Sequence, residues 1–142
     1  MEAVRDWGRF NDEVIAEFRA NRGVVERFGG LAVVIVHTIG ARSGRIREVP
    51  LIPVFDDDRM LLFGTAAGAP RDPAWCFNLR SHPRVDVEFG AERFLADVVE
   101  LPGAEGTRIV GRRAESNPQL AAYITSAAPR AIPVFSINRI DH

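Results

Sequence analysis

The chain has 142 residues and 15.7 kDa, about one domain by length and enough to bury a core without disulfides or metals. A net charge of -1 and a pI near 6.3 remove the electrostatic case for a nucleic-acid binder, because non-specific phosphate binding needs a large positive excess. All 18 basic residues are Arg and none is Lys, which excludes a Walker A loop, Schiff-base chemistry and a Ser–Lys dyad.

The lone Cys76 can form no internal disulfide, and the start MEAVRDWGRF lacks the apolar run of a signal peptide, so a cytoplasmic protein is expected. The longest apolar run, Leu31 to Val36, is far short of the roughly 20 residues that span a bilayer. The three histidines, His37, His82 and His142, show no metal-ligand spacing with one another or with Cys76.

In chain order, Asn11 offers an N-cap, Asp12 and Glu13 suit a first turn, and Phe10, Val14 and Phe18 recur at four-residue spacing. This predicts a helix ending near residue 22, where Arg19 and Arg22 close the last turn and Gly23 takes the left-handed position. Its mixed charges give no basic face, so a core-facing stripe is expected over a membrane-surface helix.

After Gly29-Gly30 come β-branched runs at Leu31–Thr38, Val49–Phe55 and Met60–Thr65, with Asp56-Asp57-Asp58 as a tight turn. Asp72-Pro73 reads as a cap followed by a first-turn proline, predicting a short helix over Ala74–Ser81. Arg84–Phe89 and Arg93–Leu101 flank Gly90-Ala91 as a hairpin. Glu105–Glu115 is expected to be helical, and Asn117-Pro118 starts a further helix through Ala127. Ile132–Ile140 is the last strand. Six strands joined by short turns with inserted helices predict an α+β fold, a single domain over 1–142 built on a mainly antiparallel barrel with flanking helices. A nicotinamide fold is disfavoured, since βα alternation and GxGxxG are both missing.

Two segments carry chemistry. Gly40-Ala41-Arg42-Ser43-Gly44-Arg45-Ile46-Arg47 puts three guanidiniums, a hydroxyl and two glycines in one turn, a composition suited to an anion or to a merely solvated hairpin. Ser43 lacks a GxSxG setting and is not expected to be a nucleophile. Thr65-Ala66-Ala67-Gly68 followed by Arg71, Trp75 and Asn78 joins a small-residue loop to an aromatic helix, fit either for a flat heterocycle or for plain core packing.

Four pieces in order, GARSGRIREVPL, GTAAGAPRDPAWCFNL, HPRVDVEF and PRAIPVF, resemble the deazaflavin-dependent nitroreductase family over about residues 10–140. The resemblance implies a split β-barrel like that of flavin-mononucleotide oxidoreductases and the coenzyme F420, an 8-hydroxy-5-deazaflavin. By motif position, Arg42, Ser43 and Arg47 would hold the coenzyme phosphate and acidic tail. Thr65, Ala66, Ala67 and Gly68 would line the deazaflavin, Trp75 and Asn78 would shape the ring pocket, and Pro50-Leu51 would begin the strand beneath it. The family loop often carries Ser-Lys-Gly-Gly, so one cation is missing here and Arg71 is the expected substitute.

The implied reaction is hydride transfer from the reduced coenzyme to an electron-poor small molecule, an activated alkene, a quinone or a nitroaromatic. Tyr123, Ser126 or Thr65 would stabilise the negative charge that develops. The alternatives are a flavin-mononucleotide reductase of the same fold and a non-catalytic carrier of the coenzyme or a fatty acid. A monomer or homodimer is expected, with any membrane contact through the first helix.

Overall fold

A computed structural model describes residues 7–29 and 31–140. His142 lies outside the described residues. The first helix, α1, covers Trp7–Ala20, and it is followed by strands β1 (Val34–Ile39), β2 (Ile46–Leu51), β3 (Val54–Asp56) and β4 (Arg59–Phe63). Helix α2 (Ala74–Ser81) precedes the hairpin of β5 (Arg84–Phe89) and β6 (Glu92–Glu100). Helices α3 (Gly103–Ala114) and α4 (Pro118–Ala127) lead to β7 (Val134–Arg139). None of the described helices is long and apolar enough to cross a membrane.

All strand pairings are antiparallel, in the order β2-β1-β5-β6-β7-β4-β3. The two edges of this sheet, β2 and β3, are consecutive in the chain and separated by Ile52 and Pro53 alone. Two residues reach at most about 7 Å of extended chain, so the seven-stranded sheet must curl until its edges meet.

The fold is therefore α+β with a curled antiparallel sheet, and the expected six strands become seven. The correction falls in the run Val49–Phe55, which divides at Ile52-Pro53 because proline has no N–H to donate to the ladder. The Asp57-Asp58 turn of the β3–β4 hairpin is as expected, with Asp57 at φ 56°.

The curl makes an interior and an exterior, and both are covered. Val34, Val36, Leu62, Val85, Val87, Val98, Phe135 and Ile137 face inward around Trp75, Cys76 and Leu79 of α2, which plugs the barrel-like interior. The opposite face of β1 packs Val33 and Ile35 against Val14, Ile15 and Phe18 of α1. The opposite face of β4 and β7 packs Leu61 and Val134 against Ile109 and Val110 of α3 and Leu120 of α4. Strands buried on two faces lose the alternation of a half-exposed strand, which is why β1 reads as a continuous apolar run. Each fully buried Phe, Leu or Val contributes about 1.5–3 kcal/mol.

Helix α1 begins at Trp7, and Asn11 sits inside it as an ordinary helical residue. An Asn cap is a local preference of about 1 kcal/mol. The extra turn places Phe10 edge-on to Phe28, with ring centroids 6.4 Å apart. The helix also stops at Ala20, and Arg22 and Gly23 follow it with positive φ. Helix α2 starts with Pro73 as its cap residue, and Asp72 makes no capping bond there. Its carboxylate instead pairs with Arg130 and Arg80 at 2.8 and 2.9 Å. In α4 the expected cap is present, the Asn117 side chain accepting from Leu120 N–H at 3.1 Å.

Candidate active site

The turn between β1 and β2 is closed by Gly40 N–H to the Arg45 carbonyl at 2.8 Å and by Gly44 N–H to the Gly40 carbonyl at 2.9 Å. Ser43 Oγ accepts from Arg45 N–H at 3.1 Å, and a Cβ on residue 40 would push that hydroxyl out of this bond. Two contacts fix the turn to its surroundings. Ala41 N–H donates to Asn78 Oδ1 at 3.0 Å, and Thr38 Oγ1 donates to the Arg47 carbonyl at 3.0 Å. Asn78 is buried, and its Nδ2 reaches Thr38 Oγ1 at 3.4 Å.

This arrangement opens a cleft of about 750 Å³ whose walls include Arg42, Ser43, Arg47, Arg71, Asn78 and Arg80. Arg80 is neutralised by Glu100 and Asp72. Arg42, Arg47 and Arg71 have no carboxylate partner among the described residues, although most other described arginines face one. Three uncompensated guanidiniums around one concavity form a local anion site on a protein of near-zero net charge. A phosphate or carboxylate fits it, because it would supply the missing negative charge.

The loop after β4 forms a second feature. Residues Ala66, Ala67 and Gly68 have φ of 47°, 53° and 79°, three left-handed residues in succession. A Cβ on Gly68 would stand 2.9 Å from Ser126 Cβ and 3.2 Å from Tyr123 Cα, so the loop lies directly on α4. Ser126 Oγ donates to the Gly68 carbonyl at 2.9 Å. That proton is committed to the loop, whereas the Thr65 and Tyr123 hydroxyls have no hydrogen-bond partner among the described residues.

Thr65 opens onto two apolar cavities. The larger, about 550 Å³, is walled by Ile52, Val54, Phe55, Phe63, Leu120 and Tyr123, with Arg113, Asn117 and Gln119 as polar groups. Arg113 also donates to the Phe55 carbonyl. The smaller, about 240 Å³, is lined by Phe10, Val14, Phe28, Pro50, Ile52 and Phe63. Ile52, Phe63 and Thr65 line both.

The structure thus gathers Arg42, Ser43, Arg47, Arg71 and Asn78 in one cleft, and Thr65 with Tyr123 and Pro50 around the two apolar cavities, whereas Ala66, Ala67 and Gly68 line none of the three. Trp75 is placed elsewhere. The residue is 7% exposed, and its ring packs in the interior against Phe135 at 5.5 Å between centroids. Next to it, burial pushes the Cys76 thiol far above its ordinary value, so this residue acts as an apolar core group.

Residues to which the sequence assigns no site role include Arg80, Arg113, Asn117 and Gln119 in the cavity walls, and Arg130. The last lies in the PRAIPVF motif, whose presence was its one available signal. A further cluster was invisible because its members lie on separate strands. His37, Glu48 and Glu88 bring ligand-type atoms within 4.8 Å of one another. The Arg19 guanidinium already sits at 2.5 and 2.7 Å from the same carboxylates, so a cation occupies that position within the protein itself.

A family model described as F420H(2)-dependent quinone reductase matches residues 7–138. An F420H(2)-dependent quinone reductase of Mycobacterium tuberculosis is 30% identical over 107 residues, 74% of this chain and 72% of that protein. A solved F420-H2 dependent reductase, FDR-A, shares 33% identity with a TM-score of 0.62, covering 75% of this chain and 93% of that one. A structure described as a domain-swapped dimer shares 31% identity with a TM-score of 0.64, covering 94% of this chain and 98% of its own.

Proposed function

The chain belongs to the F420H(2)-dependent quinone reductase family, and from that premise we propose that it is a reductase that uses coenzyme F420 to reduce a quinone-type small molecule. The observation that carries this reading is the presence, in one small domain, of a cleft with three uncompensated guanidiniums and an apolar cavity bordered by Thr65 and Tyr123. The cleft suits the phosphate and acidic tail of the coenzyme. The cavity suits a flat, weakly polar acceptor.

In that arrangement Arg42, Arg47 and Arg71 bind the anionic end of the coenzyme by charge-assisted hydrogen bonds, and Asn78 holds the turn that presents the first two. Thr65, Ala66, Ala67 and Gly68 are assigned to the wall beside the ring by their motif position, and Pro50 lines the smaller cavity with Thr65. When bound, the reduced deazaflavin supplies a hydride. The apolar walls formed by Ile52, Phe55, Phe63 and Leu120 exclude water from the acceptor. As its carbonyl oxygen gains negative charge, Tyr123 and Thr65 donate hydrogen bonds and Arg113 supplies a positive charge from the rim. No protein nucleophile is needed.

We assign the curled sheet to the split β-barrel class, with support from its similarity to the solved F420-H2 dependent reductase. A homodimer is supported by the domain-swapped dimer among the solved relatives. The test of function is oxidation of reduced F420 by menadione, followed through the absorbance of the oxidised deazaflavin. Turnover above the uncatalysed rate is expected, and its absence across quinone, enone and nitroaromatic acceptors overturns the proposal.

A further inference from the structure

We infer that Arg130 is a positioning residue for the reaction, the frame that sets the shape of the Thr65–Gly68 loop against the coenzyme ring. The inference rests on the proposed function. A guanidinium has five N–H donors, and every one is matched here. Nε and Nη2 donate to the Ala69 carbonyl at 3.0 and 2.9 Å, and Nη2 also donates to the Thr65 carbonyl at 3.0 Å. Nη1 donates to the Gly64 carbonyl at 3.0 Å and to Asp72 Oδ1 at 2.8 Å. The side chain is 11% exposed, so these bonds form largely out of water, where they are stronger.

The loop needs such a frame. Ala66 and Ala67 hold positive φ without being glycine, at a cost of about 1–2 kcal/mol per residue. Arg130 bonds to the carbonyls on both sides of this strained stretch, at residues 64, 65 and 69, and so brackets residues 66–68, whose far end rests on α4. Asp72 extends the frame, because its second oxygen pairs with Arg80 of the cleft at 2.9 Å. One carboxylate therefore joins the residue that shapes the ring-side loop to the wall of the anion cleft. Lysine cannot replace this fork, since an ammonium is a point charge with three donors and a single centre.

The test compares Arg130→Lys and Arg130→Ala with Arg47→Ala. In the coenzyme-free protein, amide hydrogen exchange over residues 64–69 is expected to quicken about tenfold or more in Arg130→Lys, because its carbonyl anchors are lost. In the coenzyme complex, the circular dichroism induced in the deazaflavin band at saturation is expected to fall in Arg130→Lys and to persist in Arg47→Ala, whose defect is in affinity. With menadione, kcat of Arg130→Lys is expected to drop about tenfold or more, since small displacements of a reacting ring are costly. Unchanged exchange or an unchanged dichroic signal in Arg130→Lys overturns the inference. Failure of both Arg130 variants to fold also overturns it, by making the residue purely structural. Failure of the underlying reading has a separate signature, Arg47→Ala binding the coenzyme as tightly as the native protein.

Discussion

The side-chain carbonyl of Asn78 accepts a hydrogen bond from the backbone N–H of Ala41 at 3.0 Å, so a buried residue of α2 fixes the first step of the arginine turn. Asn78→Ala removes the acceptor and also the Nδ2 contact to Thr38, and a stability loss of about 1–3 kcal/mol is expected with a several-fold weaker coenzyme affinity. Asn78→Asp keeps the acceptor but places a carboxylate beside three free guanidiniums. Its expected signature is a smaller loss of stability with an equal or larger loss of affinity. Thermal melts and fluorescence titration of F420 separate the two.

Arg42, Arg47 and Arg71 face no carboxylate, so removing one of them breaks no ion pair of the folded protein. Substitution by Ala is expected to leave the melting temperature within about 2 °C of the native value, since unpaired surface sites move stability by under about 0.5 kcal/mol. Coenzyme affinity is expected to fall about tenfold or more per residue, each charge-assisted bond being worth about 1.5–3 kcal/mol. Raising salt should weaken binding to the native protein and have less effect on the variants. Calorimetric titration at two ionic strengths checks both statements.

The strained loop gives a prediction of opposite sign at neighbouring positions. Ala67 has φ 53°, a value glycine adopts freely, so Ala67→Gly is expected to raise stability by up to about 1 kcal/mol. Gly68→Ala meets both an unfavourable φ of 79° and Ser126 Cβ at 2.9 Å, and a loss of about 2 kcal/mol or more is expected. Denaturant melts of the two variants decide this.

Acid should loosen the contact between α1 and the sheet. Glu88 is held below its ordinary 4.5, first by hydrogen bonding to Arg19, with His37 at 2.6 Å adding to the effect. A depressed carboxylate binds fewer protons folded than unfolded, so stability from this group is complete above about pH 4.5 and is lost as pH falls through the lower folded value. Glu88→Gln is expected to be less stable than the native protein at neutral pH and to lose less on acidification below pH 4.5. Urea melts across that interval provide the check.

Local signals in the sequence located the elements well, and their limits have physical causes. The Asn117-Pro118 cap, the Gly90 hairpin and the Asp57-Asp58 turn depend on bonds between near neighbours, which a linear reading captures. Pro53 marks the division of Val49–Phe55, but the apolar residues on both sides of it make the stretch look like one continuous strand. Asp72 looked like a cap because its partners, Arg80 and Arg130, are eight and 58 residues away. The arginine turn was legible because its charges are contiguous. Arg130 was not, because its role consists of carbonyls more than 55 residues distant that carry no side-chain signal at all. The resemblance placed Trp75 with Asn78 at the ring pocket, whereas the curl of the sheet turns the indole into the interior and sends the amide to the cleft.

The splice at Ile52-Pro53 has a mechanical consequence. The circle of strands is completed there by covalent chain alone, since β2 and β3 share no ladder hydrogen bonds. The larger apolar cavity lies at this seam, with Ile52, Pro53 and Phe55 in its wall. Spreading the seam breaks side-chain contacts but unzips no pair of strands, so among the joints of the circle this one parts without loss of a ladder.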